Sequence, residues 1–200
     1  MMIVLAGMAG AGVAWGGKYN PTVSIGDAAP DWRDLPGVDD QSHSLADYRS
    51  HEVLVVAFTC NTCPTAVDYE ERLMTLAAKY ADGGKCAIVA INANQVPGDL
   101  LPKMKERASA RKFNFDYVRD DSQQVARSYG ATVTPEFFVL DKQRRIVYMG
   151  ALDDSTDAAG VKARHVEEAV AAVLAGKTPT VAETVGRGCL VRYARDRKKK

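Results

Sequence analysis

Runs of apolar residues without charges or turn formers mark the buried strands of this chain. Val53–Phe58 is such a run, rich in β-branched residues, and residues 85–92, in which only Lys85 is charged, form a second one. Runs of this kind predict strands buried on both faces, as in the centre of an α/β sheet. A short strand is predicted at 115–118. Two more, at 136–141 and 145–150, are joined by a short polar turn, which predicts an antiparallel hairpin.

Between these strands the apolar residues recur at helical spacing. The segment beginning at Pro64 carries Val67, Leu73, Leu76 and Ala77 on one face, which predicts an amphipathic helix. Helices are also predicted over 98–112, 122–129 and 161–174. Ahead of the first buried strand we expect an irregular segment at 19–36, a hairpin at 38–45 and a helical turn at 45–50. Strands alternating with helices, then a hairpin and a closing helix, predict an α/β fold with a mixed central sheet flanked by helices.

Composition and charge narrow the possible partners. With 200 residues at 46% hydrophobic, the sequence suits one domain with a real core. Its net charge of +1, from 26 basic and 25 acidic residues, gives no reason to expect nucleic acid as a partner. The basic cluster at 195–200 is interpreted as a solubilising end; attraction to anionic lipid is the alternative.

The first residues have the character of a targeting segment. Residues 2–14 are uncharged and small or apolar, a length that suits a signal peptide and is too short to span a bilayer. Ala14 and Gly16 would permit cleavage before Gly17, although no basic residue precedes Lys18. We therefore predict a signal peptide or apolar anchor at 1–16, a domain at 17–176 and a tail at 177–200. Export to a bacterial periplasm is expected, with membrane attachment only if the first segment is not cleaved.

Two of the four cysteines have the spacing of a redox motif. Cys60 and Cys63 lie where the first buried strand passes into a helix. A thiol at a helix N-terminus faces unpaired N–H groups and the positive end of the helix dipole, which lowers its pKa. Cys86 is interpreted as a buried small hydrophobe. Cys189 has three interpretations: a disulfide with Cys86, an auxiliary thiol that relays electrons to Cys60 and Cys63, or an inert residue.

A second motif adds a family resemblance. Thr134 and Pro135 open a predicted strand in the segment T-P-x-x-F-V-L-D, at the place where thioredoxin-like proteins carry a cis-proline beside their CxxC. Over residues 25–175 the chain resembles the thioredoxin-like superfamily, and most closely exported redoxin or TlpA-like thiol–disulfide oxidoreductases. Residues 25–32 resemble the opening of redoxin domains, which implies an N-terminal redoxin-type extension to the thioredoxin-like fold.

The resemblance implies a mechanism of thiol–disulfide exchange. Cys60 is expected to be the more exposed and more acidic thiol, which attacks a substrate disulfide, and Cys63 to resolve the mixed disulfide. Thr134 and Pro135 would bind the substrate. The implied partners are protein disulfides or thiols and a redox partner protein, with no cofactor. Ala57 stands where thioredoxins have a buried carboxylate, so that role must fall to another residue or to water.

Other functions remain open on the sequence. The segment around Cys63, Thr62 to Thr65, resembles the peroxidatic motif of peroxiredoxins, although Cys60 replaces its usual Thr or Ser and the upstream proline is absent. A CxxC pair can also bind Cu(I), which would make the chain a non-enzymatic copper module. His43, His51 and His165 offer no convincing additional ligand, so no metal site is predicted. A structural disulfide or half of a zinc site is the remaining interpretation.

Overall fold

The computed structural model describes residues 16–81 and 83–194. The predicted signal or anchor segment, apart from Gly16, and the basic cluster at 195–200 lie outside the described residues. Within the described residues, no helix is both long enough and apolar enough to cross a membrane.

The described residues form nine strands and four α-helices, with three 3₁₀ turns. The strands are β1 (Leu35–Pro36), β2 (Ser42–His43), β3 (Val53–Phe58), β4 (Cys86–Asn92), β5 (Asp116–Arg119), β6 (Val133–Thr134), β7 (Glu136–Leu140), β8 (Ile146–Gly150) and β9 (Cys189–Leu190). The helices are α1 (Pro64–Ala81), α2 (Leu101–Arg111), α3 (Gln124–Ser128) and α4 (His165–Leu174). The 3₁₀ turns are Leu45–Tyr48, Pro97–Asp99 and Ala158–Gly160.

The central sheet is mixed, as predicted. Its strand order is β5-β4-β3-β7-β8. Strands β3, β4 and β5 are parallel, whereas β7 pairs antiparallel with both β3 and β8. Every residue of β3 is at most 1% exposed, which confirms the prediction of a strand covered on both faces.

Two apolar layers cover the sheet. One face packs against α1 and α4 through residues such as Leu73 and Val166. The other carries an aromatic group of Phe58, Tyr129 and Phe138, whose ring centroids lie 5.2–5.7 Å apart. The 3₁₀ turn Leu45–Tyr48, Trp32 and α3 close this second layer. Both layers pack against the end of β3 that precedes Cys60, through Phe58 on one face and Ala57 on the other.

Three predicted boundaries are wrong. The hairpin consists of β1 and β2, so it begins at residue 35 and not at 38. The helix predicted over 98–112 is divided into a 3₁₀ turn and α2, because Leu100 is extended and a proline starts the next helix. The last helix begins at His165 and not at 161, because Val161 is extended after the 3₁₀ turn at 158–160 and the backbone of Arg164 is not helical.

Residues 182–194, which we call the C-terminal strap, return along the sheet. The Thr184 N–H donates to the Met149 carbonyl oxygen of β8 at 3.0 Å, and the Met149 N–H donates to the Ala182 carbonyl oxygen at 3.0 Å. Further along, β9 pairs antiparallel with β6. Within the predicted tail, residues 182–191 therefore form backbone hydrogen bonds with the domain.

Candidate functional site

The cysteine pair lies in the link between β3 and α1. Thr59 continues the sheet by donating its N–H to the Ile91 carbonyl oxygen at 2.9 Å. The Cys63 carbonyl oxygen accepts an N–H from Val67 at 3.0 Å, so Cys63 occupies the N-cap position of α1. Cys60 and Cys63 are only 3% and 2% exposed. The two thiols thus lie beside the free N–H groups of a long helix.

Thr134 and Pro135 close the site from the opposite side. Their peptide bond is cis, as the resemblance implied. The Cys60 Sγ lies 3.3 Å from the Thr134 hydroxyl oxygen, and the Cys63 Sγ lies 3.0 Å from the Thr134 carbonyl oxygen, to which it donates only while it is protonated. The fold therefore brings together all four residues predicted for catalysis and substrate binding.

Cys189 joins this group from the C-terminal strap. Its Sγ lies 2.7 Å from the Sγ of Cys63. Cys86 pairs with Val53 at the opposite end of β3, about 20 Å away for a strand of this length. The interpretation that Cys189 forms a disulfide with Cys86 is therefore wrong. Burial raises the pKa of Cys86 to about 12, as expected for a thiol in an apolar core.

The acidity of the two motif cysteines is opposite to the prediction. The pKa of Cys63 is lowered to about 4 by a hydrogen bond from the Cys60 thiol, with further bonds from the Cys189 thiol and the Ala66 N–H. The pKa of Cys60 is raised by its hydrogen bond to Cys63 and by burial. The prediction that Cys60 is the more acidic thiol is therefore wrong, because the donors converge on Cys63. Both thiols are buried, and their exposures of 3% and 2% differ too little to separate them.

Asp99 holds the turn between the two cysteines, a role that was not predicted from the sequence. The carboxylate is fully buried and accepts the backbone N–H groups of Asn61 and Thr62 at 2.7 and 3.1 Å. It also accepts the Thr62 hydroxyl at 2.7 Å and the Asn94 side-chain amide at 3.0 Å. Asp99 lies 37 residues or more from the turn it holds, so no local pattern reveals the contact.

Asp99 is also the buried carboxylate that lies beside the motif. Ala57, at the thioredoxin carboxylate position, is fully buried and apolar. The negative charge of Asp99 contributes to the raised pKa of Cys60. The negative charge near Cys60 therefore comes from Asp99, which lies in the loop after β4, and not from a residue of β3.

A second set of hydrogen bonds fixes Asn61. Its side-chain oxygen accepts the Tyr117 hydroxyl at 3.0 Å, and that hydroxyl accepts the Asn92 amide at 3.0 Å. Fully buried Arg119 donates to the carbonyl oxygens of Asn92 and Asn94 at 3.1 and 2.6 Å. Because these groups belong to β4, β5 and the following loop, the inner dipeptide of the motif is positioned by the sheet.

The histidines have other contacts. His43 lies 3.1 Å from an Asp39 carboxylate oxygen, and His51 lies 3.3 Å from the Tyr48 carbonyl oxygen. His165 stacks on Tyr148 at a centroid distance of 6.3 Å. Among residues 16–81 and 83–194, no group of three or more His, Cys, Asp or Glu side chains is arranged to hold a metal ion.

Comparisons with known proteins agree with this architecture. The Redoxin family model matches residues 24–170. A curated relative, the thiol-disulfide oxidoreductase ResA of Geobacillus thermodenitrificans, is 27% identical over 128 residues, covering 62% of this chain and 67% of its own.

Solved structures show the same fold over most of the chain. The hypothetical protein SMc02350 of Sinorhizobium meliloti is 35% identical, with a TM-score of 0.80 over 88% of this chain and 97% of its own. An uncharacterized protein of Geobacillus kaustophilus is 32% identical, with a TM-score of 0.79 over 85% of this chain and 92% of its own. The peroxidoxin BcpB of Mycobacterium tuberculosis is 22% identical, with a TM-score of 0.60 over 77% of this chain and 98% of its own. At this identity the similarity shows only that the two chains have the same fold.

Proposed function

Because this chain belongs to the Redoxin family, we propose that it is a thiol–disulfide oxidoreductase whose redox pair is Cys60 and Cys63. One observation carries the proposal. Both thiols contact Thr134, one through its hydroxyl and one through its carbonyl oxygen, at the start of a helix and beside a cis-proline. A pair so placed has an acidic thiol and a second thiol within reach of it, which are the two requirements of dithiol exchange.

Cys63 is the nucleophile in this proposal. Its thiolate attacks one sulfur of a substrate disulfide, and the other substrate sulfur leaves as a thiolate. Cys60 then attacks the Cys63 sulfur, which forms the Cys60–Cys63 disulfide and releases the second substrate thiol. Cys60 is kept protonated at rest chiefly by its hydrogen bond to Cys63. This hydrogen bond to a thiolate is lost once Cys63 is in the mixed disulfide and its sulfur carries no charge. Cys60 can therefore lose its proton and attack only after the first step.

Protein disulfides or thiols are the proposed substrates, with a separate redox protein to restore the pair. Thr134 and Pro135 would contact the substrate because they border both sulfurs. Location in a bacterial periplasm is part of the same proposal and depends on the apolar character of residues 2–14.

Titration of the purified protein against glutathione and dithiothreitol buffers tests the proposal. The Cys60–Cys63 pair should show a reversible two-electron couple, and Cys86→Ser, far from the site, should titrate identically. A potential near roughly −270 mV would identify a reductant, and one near roughly −120 mV an oxidant of substrate thiols. A protein without any reversible couple would refute the oxidoreductase proposal.

A thiol peroxidase is the second candidate, favoured by one specific observation. The acidic thiol is Cys63, which Pro64 and Thr65 follow as in the peroxidatic segment it resembles. Attack of this thiolate on hydrogen peroxide would give a sulfenic acid and hydroxide. Trapping with dimedone in the Cys60→Ser/Cys189→Ser variant should then label Cys63. If the wild-type protein exchanges with disulfides but dimedone never labels Cys63 in this variant, the peroxidase function is excluded.

A further inference from the structure

The C-terminal strap lies where an extended substrate would pair with the site. Residues Thr134 and Val133 of β6 pair with Cys189 and Leu190, and the Val191 N–H donates to the Thr132 carbonyl oxygen at 3.0 Å. The backbone beside the cis-proline is therefore already paired, and the residue opposite Thr134 is a cysteine. In the described structure the chain presents its own thiol to its own active site.

Several contacts beyond β9 fix the strap. The Arg192 N–H donates to the Asn94 side chain at 2.7 Å, and the Ala194 N–H donates to the Gln123 side chain at 2.7 Å. The Tyr193 hydroxyl donates to the Ala131 carbonyl oxygen at 2.6 Å. Asn94 in turn donates to Asp99, so the strap and the turn between Cys60 and Cys63 share one hydrogen-bond network.

Gly188 allows the close approach. It has φ +154°, and a Cβ atom at this position would lie 1.9 Å from the Thr134 carbonyl oxygen. No other residue type fits without displacing the strap. Because Cys189 directly follows Gly188, the close approach of Gly188 places the Cys189 sulfur next to the Cys63 sulfur.

We propose, resting on the oxidoreductase function above, that Cys189 is a second resolving cysteine that forms a disulfide with Cys63. The sulfur atoms lie 2.7 Å apart, against about 2.05 Å in a formed disulfide, so bond formation needs only a small movement. Cys189 is partly exposed, whereas Cys60 and Cys63 are buried. Once the Cys63–Cys189 disulfide has formed, Cys189 is therefore the sulfur that a reducing thiol from solvent can reach more easily.

The chemistry requires only a disulfide substrate. The Cys63 thiolate attacks a substrate disulfide, releases one substrate thiolate and becomes a mixed disulfide. Cys189, once deprotonated, attacks the Cys63 sulfur, releasing the second substrate thiolate and leaving the Cys63–Cys189 bond. If Cys60 has resolved Cys63 first, Cys189 attacks Cys63 in the Cys60–Cys63 disulfide and releases Cys60, with no net change in oxidation state. Cys63 is thus the shared member of two alternative disulfides.

The test uses the full chain, glutathione disulfide as oxidant, acid quenching, and mapping of linked peptides by mass spectrometry. Cys60→Ser should form the Cys63–Cys189 disulfide. The matched control Cys60→Ser/Cys189→Ser should instead retain glutathione on Cys63. Loss of glutathione from Cys63 should be at least about tenfold faster in the single variant, because the attacking thiol is intramolecular.

The outcomes separate this inference from the function on which it rests. If Cys60→Ser keeps glutathione on Cys63 and a free Cys189, while Cys189→Ser still forms Cys60–Cys63, this inference alone is overturned. If neither disulfide forms in either variant, both are overturned. In a second variant, Cys60→Ser/Gly188→Ala, glutathione should leave Cys63 more slowly than in Cys60→Ser. An equal rate would overturn the inference that the close approach at Gly188 positions Cys189 beside Cys63.

Discussion

Replacing Asp99 with asparagine should loosen the turn that separates the two motif cysteines. The substitution keeps the size of the side chain and removes its charge. In the variant, the side-chain carbonyl oxygen still accepts the N–H groups of Asn61 and Thr62. In the wild-type protein the Asn94 side-chain amide donates to the other carboxylate oxygen of Asp99, and in the variant it faces an NH₂ group instead. Two donors therefore meet at a position that is fully buried.

The magnitude follows from these contacts. Hydrogen bonds to a charged acceptor contribute about 1 kcal/mol more than those to a neutral one, and two N–H bonds change in this way. The Asn94 amide loses its acceptor, which costs about 1–3 kcal/mol for a buried group. Relief from burying a charge offsets part of the sum. We expect Asp99→Asn to lower the free energy of unfolding of the reduced protein by about 2–4 kcal/mol.

Urea denaturation of the reduced protein, followed by circular dichroism, measures this change. Thr62→Val is the matched control, because it removes only the exposed hydroxyl that Asp99 accepts and should cost about 1 kcal/mol or less. If Asp99→Asn destabilises the protein no more than Thr62→Val does, the carboxylate does not hold the turn.

Three further predictions test the acidity, the free thiols and the core. Because the folded pKa of Cys63, about 4, is below its ordinary value of 9.0, unfolding takes up a proton between these values. The stability that Cys63 contributes should rise with pH through this window and be lost as pH falls towards 4, and Cys63→Ser should remove this dependence in denaturation at several pH values. Iodoacetamide should label Cys189 in the native state and Cys86 only after unfolding, as peptide mapping would show; native labelling of Cys86 would contradict its buried position. Phe138→Ala should cost about 3–5 kcal/mol in urea denaturation, since the ring is fully buried between two aromatic neighbours, and a cost below 1 kcal/mol would refute that packing.

Most of the fold was predictable because its signals are local. The apolar run Val53–Phe58, the helical stripe after Pro64 and the short turn before residue 145 each depend on neighbours in sequence, and each element forms where it was predicted. Boundaries shifted where a proline or an additional 3₁₀ turn interrupted the pattern, as at 97–101 and 158–165. The pairing of β7 with β3 is not local, and it was not predicted from the sequence.

By itself, the sequence indicated which residues would carry the proposed chemistry: Cys60 and Cys63 after a buried strand, with Thr134 and Pro135 before another. The family resemblance assigned the acidic thiol to Cys60, and the sequence left open what replaces the missing carboxylate and where Cys189 lies. Only the tertiary structure decided these, because each depends on groups far apart in the chain that meet at one helix N-terminus. Acidity follows from the donors that converge on Cys63, the charge comes from Asp99, and the third thiol arrives on a strand that pairs beside the cis-proline.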